Sequence, residues 1–131
     1  SYSIKTVSQL GTSEYREYFG LSPSEHPFLI QPVQGENLIS PFHDIPVYVD
    51  KEKGILNMVV EIPLGTQPKL EISKDLPLNP IKQDVKVCSL SCNLTHISEW
   101  KAQIVAYKYP FNYGAFPQTW ENPGFVHPDT Q

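Results

Sequence analysis

Proline stands at thirteen of the 131 positions and glycine at seven, and they punctuate most of the chain. A proline ring fixes φ and removes an N–H donor, so it breaks helix interiors and is kept out of central strands. Long continuous helices are therefore excluded over most of the length, and short strands joined by turns are what remains. Pro46–Val49 is short and β-prone, and Glu14–Phe19 can start a strand. Ile55–Ile62 is rich in apolar and β-branched residues, and Lys69-Leu70-Glu71-Ile72 alternates polar and apolar as a half-buried strand does. With Leu64-Gly65-Thr66-Gln67-Pro68 as turn chemistry between them, these two runs are expected to pair as a β-hairpin. Ile104–Phe116 is a further extended region, heavy in Tyr and Phe. The predicted fold is mainly β: a partial, OB-like small barrel with short helices and loops.

The length allows one domain at most, and a hydrophobic fraction of 40% with 18% charged residues describes a globular chain. Net charge is −4, and Arg16 is the one arginine among ten basic residues. That balance argues against a nucleic-acid surface, which shows clustered basic charge. A single arginine also counts against a complete phosphate-cleaving site, where bidentate guanidinium is the usual choice. No run approaches the ~18 apolar residues of a membrane span, and Ser1–Leu10 is polar, so a cytoplasmic protein without membrane contact is expected.

Glu61 ends one predicted strand, while Lys69 and Glu71, two residues apart, point to one face of the next. Carboxylates suit hard cations and lysine suits phosphate, although a solvated barrel face with an incidental ion pair carries the same letters. Cys88, Cys92 and His96 would share a helix face, but three ligand types without a fourth do not close a zinc site, and free thiols are expected. His43-Asp44 has no nucleophile that can be placed beside it.

Four strings, SPFHDIP from Ser40, NMVVEIP from Asn57, LNPIKQD from Leu78 and NYGAFPQTW from Asn112, resemble the soluble family I inorganic pyrophosphatases of the eukaryotic cytosolic type. The resemblance implies hydrolysis of pyrophosphate to two phosphates with Mg2+ held by aspartates. It implies substrate-binding roles for Glu61, Lys69 and Tyr113, a metal-holding role for Glu71, and a proton-donor role for Tyr109. Leu64-Gly65 replaces the family's arginine and aromatic, and Lys108 and Pro110 replace the glycine and isoleucine around Tyr109.

Val87–Ala106 carries no lysine- and arginine-rich strand of the family kind; it reads equally as an evolved replacement or as foreign reading frame. Val87–Ser98 and Leu21–Gly35 match the family least and are expected to be the least ordered internal parts. The family's aspartate string, G-D-x-D-P-x-D, should follow Trp120 by a dozen or more residues. After Asp84 the carboxylates are Glu99, Glu121 and Asp129 alone. The expectation is a single, incomplete pyrophosphatase domain (1–131) that faces pyrophosphate or phosphate but is inactive by itself. The alternative is a catalytically dead fragment that binds phosphate weakly, or associates with itself or with a full-length relative.

Overall fold

The computed structural model describes residues 2–21, 37–92, 95–126 and 128. Eleven strands run through these residues, and helix is nearly absent from them. In chain order they are β1 (Tyr2–Val7), β2 (Arg16–Leu21), β3 (Leu38–Ile39), β4 (Tyr48–Asp50), β5 (Ile55–Leu56), β6 (Val59–Ile62), β7 (Leu70–Ile72), β8 (Ile81–Gln83), β9 (Val85–Cys92), β10 (Thr95–Ala102) and β11 (Tyr113–Ala115). The largest sheet runs β1-β2-β8-β7, with β3 added beside β2. Three two-stranded pieces accompany it: β9 with β10, β6 with β11, and β4 with β5. No closed barrel is formed among the described residues, so the architecture is a partial one.

Strand alternation sets the core. Leu70, Ile72 and Ile81 turn inward against Tyr15, Phe19, Ile39, Ile45 and Val59. Each buried aliphatic side chain of this kind contributes about 1.5–3 kcal/mol relative to exposure. Glu71 and Lys82 fall on the opposite parity and face each other across the β7–β8 ladder.

The expected hairpin between Ile55–Ile62 and Lys69–Ile72 is not formed. The first run splits in two: β5 pairs with β4, and β6 pairs with β11. The segment from Lys69 to Ile72 contributes β7, which pairs with β8. Turn chemistry is present as expected, with Thr66 N–H donating to Pro63 C=O at 3.1 Å and Gly65 at φ +75°. Beyond the turn, however, other partners capture the chain. Val105 N–H donates to Gln67 C=O (2.9 Å), and Lys69 N–H donates to Gln103 C=O (3.0 Å). These bonds continue the β8-facing edge of β7, while on the β6-facing edge the Ile72 N–H goes to the Glu61 carboxylate instead of to a backbone carbonyl of β6.

Residues 22–36, most of the Leu21–Gly35 expectation, lie outside the described residues. Within Val87–Ser98 the described residues belong to β9 and β10, which pair antiparallel from Val85↔Ala102 to Cys92↔Thr95. Cys88, Cys92 and His96 thus lie on strands, and the helical spacing assumed for them does not exist.

The family-like strings are tied to one another. Asp44 accepts the Ser40 N–H at 2.7 Å, which gives the His43-Asp44 pair a turn-holding role. Gln118 donates from its backbone to Phe42 C=O and from its side chain to His43 C=O, both at 2.9 Å. Asn112 accepts the Leu64 N–H at 2.9 Å. Gly114 lies so close to β6 that a Cβ there would sit 1.9 Å from the Val59 carbonyl oxygen.

Candidate active site

β6, β7, the end of β8 and β11 bring five charged or phenolic groups to neighbouring positions. Glu61 lies half-buried on β6, and its carboxylate accepts the N–H of Ile72 at 2.7 Å. Burial raises the Glu61 carboxyl above the ordinary glutamate range; the Ile72 N–H opposes that, and Glu71 adds to it. Lys69 donates to Asp84 in a close ion pair whose side chains stay part-exposed. Asp84 holds the Lys69 ammonium above the ordinary lysine range, burial opposes this, and Glu71 and Tyr113 reinforce it. Glu61, Glu71 and Tyr113 thus each lie within electrostatic reach of Lys69.

Glu71 is met from β8 by Lys82, at 3.8 Å, and Lys82 also reaches Asp75 at 4.0 Å. Tyr113 stands opposite Ile62 in the β6–β11 pairing, beside Glu61. Tyr109 reaches the group through Tyr113, with ring centroids 5.8 Å apart. It also stacks on Phe111, at 5.4 Å and 7° between planes, and meets Tyr107 edge-on at 5.6 Å. The backbone of the departing turn anchors it, since Gly65 N–H donates to Tyr109 C=O at 3.0 Å.

Sequence reasoning overlooked Asp84, Lys82 and Gln83. Their signal was the alternation in Ile81-Lys82-Gln83-Asp84, which puts Lys82 beside Glu71 and buries Gln83 to 2% exposure. Lysine and carboxylates on one face are suited to binding an oxyanion at the ammonium, with phenols as further donors. A divalent metal is a different matter. Among the described residues no group of three or more His, Cys, Asp or Glu could hold one. Glu61 is committed to Ile72, Asp84 to Lys69, and Glu71 faces Lys82.

The inorganic pyrophosphatase family model matches residues 58–129, more than half of the chain. An inorganic pyrophosphatase of Dictyostelium discoideum is 44% identical over 130 residues, covering 99% of this chain and 38% of its own length. One of Yarrowia lipolytica is 52% identical over 135 residues, covering 100% and 39%. The chain thus spans under two fifths of these curated relatives. Among solved structures, type I inorganic pyrophosphatase from Toxoplasma gondii aligns with TM-score 0.73 at 30% identity, over 98% of this chain and 47% of that one. The N-terminally truncated vacuolar soluble pyrophosphatase of Trypanosoma cruzi in complex with PPi aligns with TM-score 0.70 at 30% identity, over 98% and 45%.

Proposed function

Because the chain belongs to the inorganic pyrophosphatase family, we propose that its 131 residues supply one phosphate-facing wall of a diphosphatase domain and do not turn over pyrophosphate by themselves. The observation that carries this is the Lys69–Asp84 ion pair at the joined ends of β7 and β8, with Glu71 two residues on from Lys69 and Tyr113 paired beside Glu61 on β6. Lys69 is the phosphate contact, with Asp84 holding its ammonium in place. Glu61 shapes the same wall and holds the start of Ile72 against it. Tyr113 donates to a substrate oxygen, and Tyr109, steadied between Phe111 and Tyr107, is the phenol that would hand a proton to a departing phosphate.

Family chemistry needs Mg2+ to supply an activated water and positive charge. Glu71 would offer such an ion one carboxylate. The described residues do not fit a complete divalent site, so no step is assigned to a metal here. Within the cell, a cytoplasmic protein of phosphate metabolism is the matching setting, with neither nucleic acid nor membrane as partner. No helix among the described residues is long and apolar enough to cross a membrane.

The test is phosphate release by the purified 131-residue chain with Mg2+, together with pyrophosphate binding followed by 31P NMR. Weak binding lost in Lys69→Met, without turnover, is expected. Turnover of roughly 1 per second or faster, abolished by Glu71→Ala, would overturn the reading. Binding unaffected by Lys69→Met would remove Lys69 from it.

A second reading, association with itself or with a full-length relative, is favoured by one observation. Phe116, Trp120 and Val126 are exposed near the end of the described chain, Trp120 to 76%. Analytical ultracentrifugation of the chain alone and mixed with a relative distinguishes the two readings. A monomer under both conditions rejects association.

A further inference from the structure

Three backbone groups at the meeting point of the ends of β7 and β8 and the segment that follows β10 form a closed ring of hydrogen bonds. Lys69 N–H donates to Gln103 C=O (3.0 Å), Gln103 N–H to Asp84 C=O (2.8 Å), and Asp84 N–H to Lys69 C=O (2.9 Å). The side chain of Gln83 closes over this ring. Its Nε2 lies 3.0 Å from Lys69 O, 3.0 Å from Asp84 O and 2.8 Å from Gln103 O. Each carbonyl thereby uses both lone pairs, one on the ring and one on the amide. Two amide hydrogens serve three acceptors, so one is shared. The opposite amide orientation would set Oε1 against three carbonyl oxygens, and the network therefore fixes which end is nitrogen.

The amide is not explained by burial. Gln83 is 2% exposed, and its Oε1 is buried without a hydrogen-bond partner. A buried acceptor left unpaired is unfavourable, and a methionine would fill similar space without that burden. What the amide supplies and an apolar side chain cannot is a fixed distance between three backbone segments. Two of the three residues it holds are Lys69 and Asp84, whose side chains form the ion pair of the candidate site.

We propose that Gln83 is a positioning residue: its buried amide locks the Lys69–Asp84–Gln103 backbone ring and so presents the Lys69 ammonium on the phosphate-facing wall. The last clause rests on the phosphate role given to Lys69 above; the lock itself does not. Lys69 stands one residue before β7 and Asp84 one residue after β8, at strand ends where ladder bonds alone hold a backbone least firmly. Without the amide, the two ends are free to drift by the fraction of an ångström that separates a tight ion pair from a loose one.

The experiment uses the 131-residue chain labelled with 15N and 13C, as wild type and as Gln83→Met. In the wild type, the Gln83 side-chain NH2 protons should exchange at least about tenfold more slowly than those of the exposed Gln9. Equal rates overturn the proposal whether or not the variant folds. In Gln83→Met, the backbone amides of Lys69, Asp84 and Gln103 should exchange about tenfold or more faster, relative to those of β2. The Lys69 side-chain 13C resonances should also shift at fixed pH while those of the exposed Lys51 stay in place, a local change that mere loss of packing would not produce. Uniform acceleration across β2 and the ring, or unmoved Lys69 side-chain resonances, overturns the positioning role. Inorganic pyrophosphate added to the wild type separates the two readings. If the expected exchange pattern appears but the Lys69 resonance ignores pyrophosphate, the lock is supported and the phosphate role of Lys69 is what fails.

Discussion

The Glu61 carboxylate and the Ile72 N–H meet at 2.7 Å and join two strands that share no ladder. One side chain does here what a hairpin would do with several backbone bonds. Glu61→Ala should therefore leave the Ile72 N–H, at a residue 5% exposed, without its acceptor, at a cost of about 1–3 kcal/mol. Glu61→Gln keeps a carbonyl acceptor and should lose less than half as much. Urea unfolding midpoints of both variants check this, and equal losses would contradict it.

The same residue predicts a pH dependence. Burial raises the Glu61 carboxyl in the folded chain, so the native state binds this proton more tightly than the unfolded state. The stability that this contributes is complete below the ordinary glutamate range and is lost as pH rises through the raised folded value. Wild type should lose stability relative to Glu61→Gln as pH climbs out of the ordinary carboxylate range. Paired urea titrations across pH would show the gap moving that way; a gap that moved oppositely would mean the charged form is favoured on folding.

Asp84 and Lys69 carry a different expectation. Lys69 is held protonated chiefly by Asp84, so Asp84→Asn should bring its titration down towards ordinary lysine. Both side chains remain part-exposed, and the stability lost should stay within roughly 1 kcal/mol, as for surface pairs. That small contribution is present below the ordinary lysine range and disappears as pH rises through the raised folded value. The Lys69 side-chain 13C shift against pH is the measurement, and a titration unchanged in the variant would separate the two residues.

Two glycines should behave differently for different reasons. At Gly114 an added Cβ would lie 1.9 Å from a backbone oxygen of β6, so Gly114→Ala must push β11 away from β6. A loss of about 3 kcal/mol, at the top of the overpacking range, or failure to fold is expected. Gly65 has open space around it but a φ of +75°, so Gly65→Ala should cost only the left-handed strain of about 1–2 kcal/mol. Thermal melts rank the pair, and a milder effect at Gly114 would show that the two strands can part.

What the letters could reveal was parity and punctuation. Leu70 and Ile72 inward with Glu71 outward is legible from alternation, and the turn at Pro63–Thr66 is legible from Gly65. Which strand pairs with which was not, because a β6–β7 hairpin and the observed arrangement bury the same side chains. They differ in the ladder partner of β6, which is β11, some 50 positions further along the chain. The β9–β10 hairpin was overlooked although Cys88-Ser89-Leu90-Ser91-Cys92 alternates apolar and polar, because its cysteines and His96 also fall at helical spacing. The candidate site became visible through resemblance to a family, not through spacing. Its supporting residues, Gln83 above all, were missed because a buried amide reads in sequence like any surface glutamine.

The ring of Lys69, Asp84 and Gln103 also acts as a gate for length. Chain leaves it at Asp84 and returns at Gln103, and among the described residues between those points β9 and β10 pair with each other in a two-stranded piece. Closing a longer excursion costs only about 0.6 kcal/mol for each doubling of its residues. Whatever stretch of polypeptide comes to lie between the two posts, its size is a nearly neutral variable for the sheet that carries Lys69.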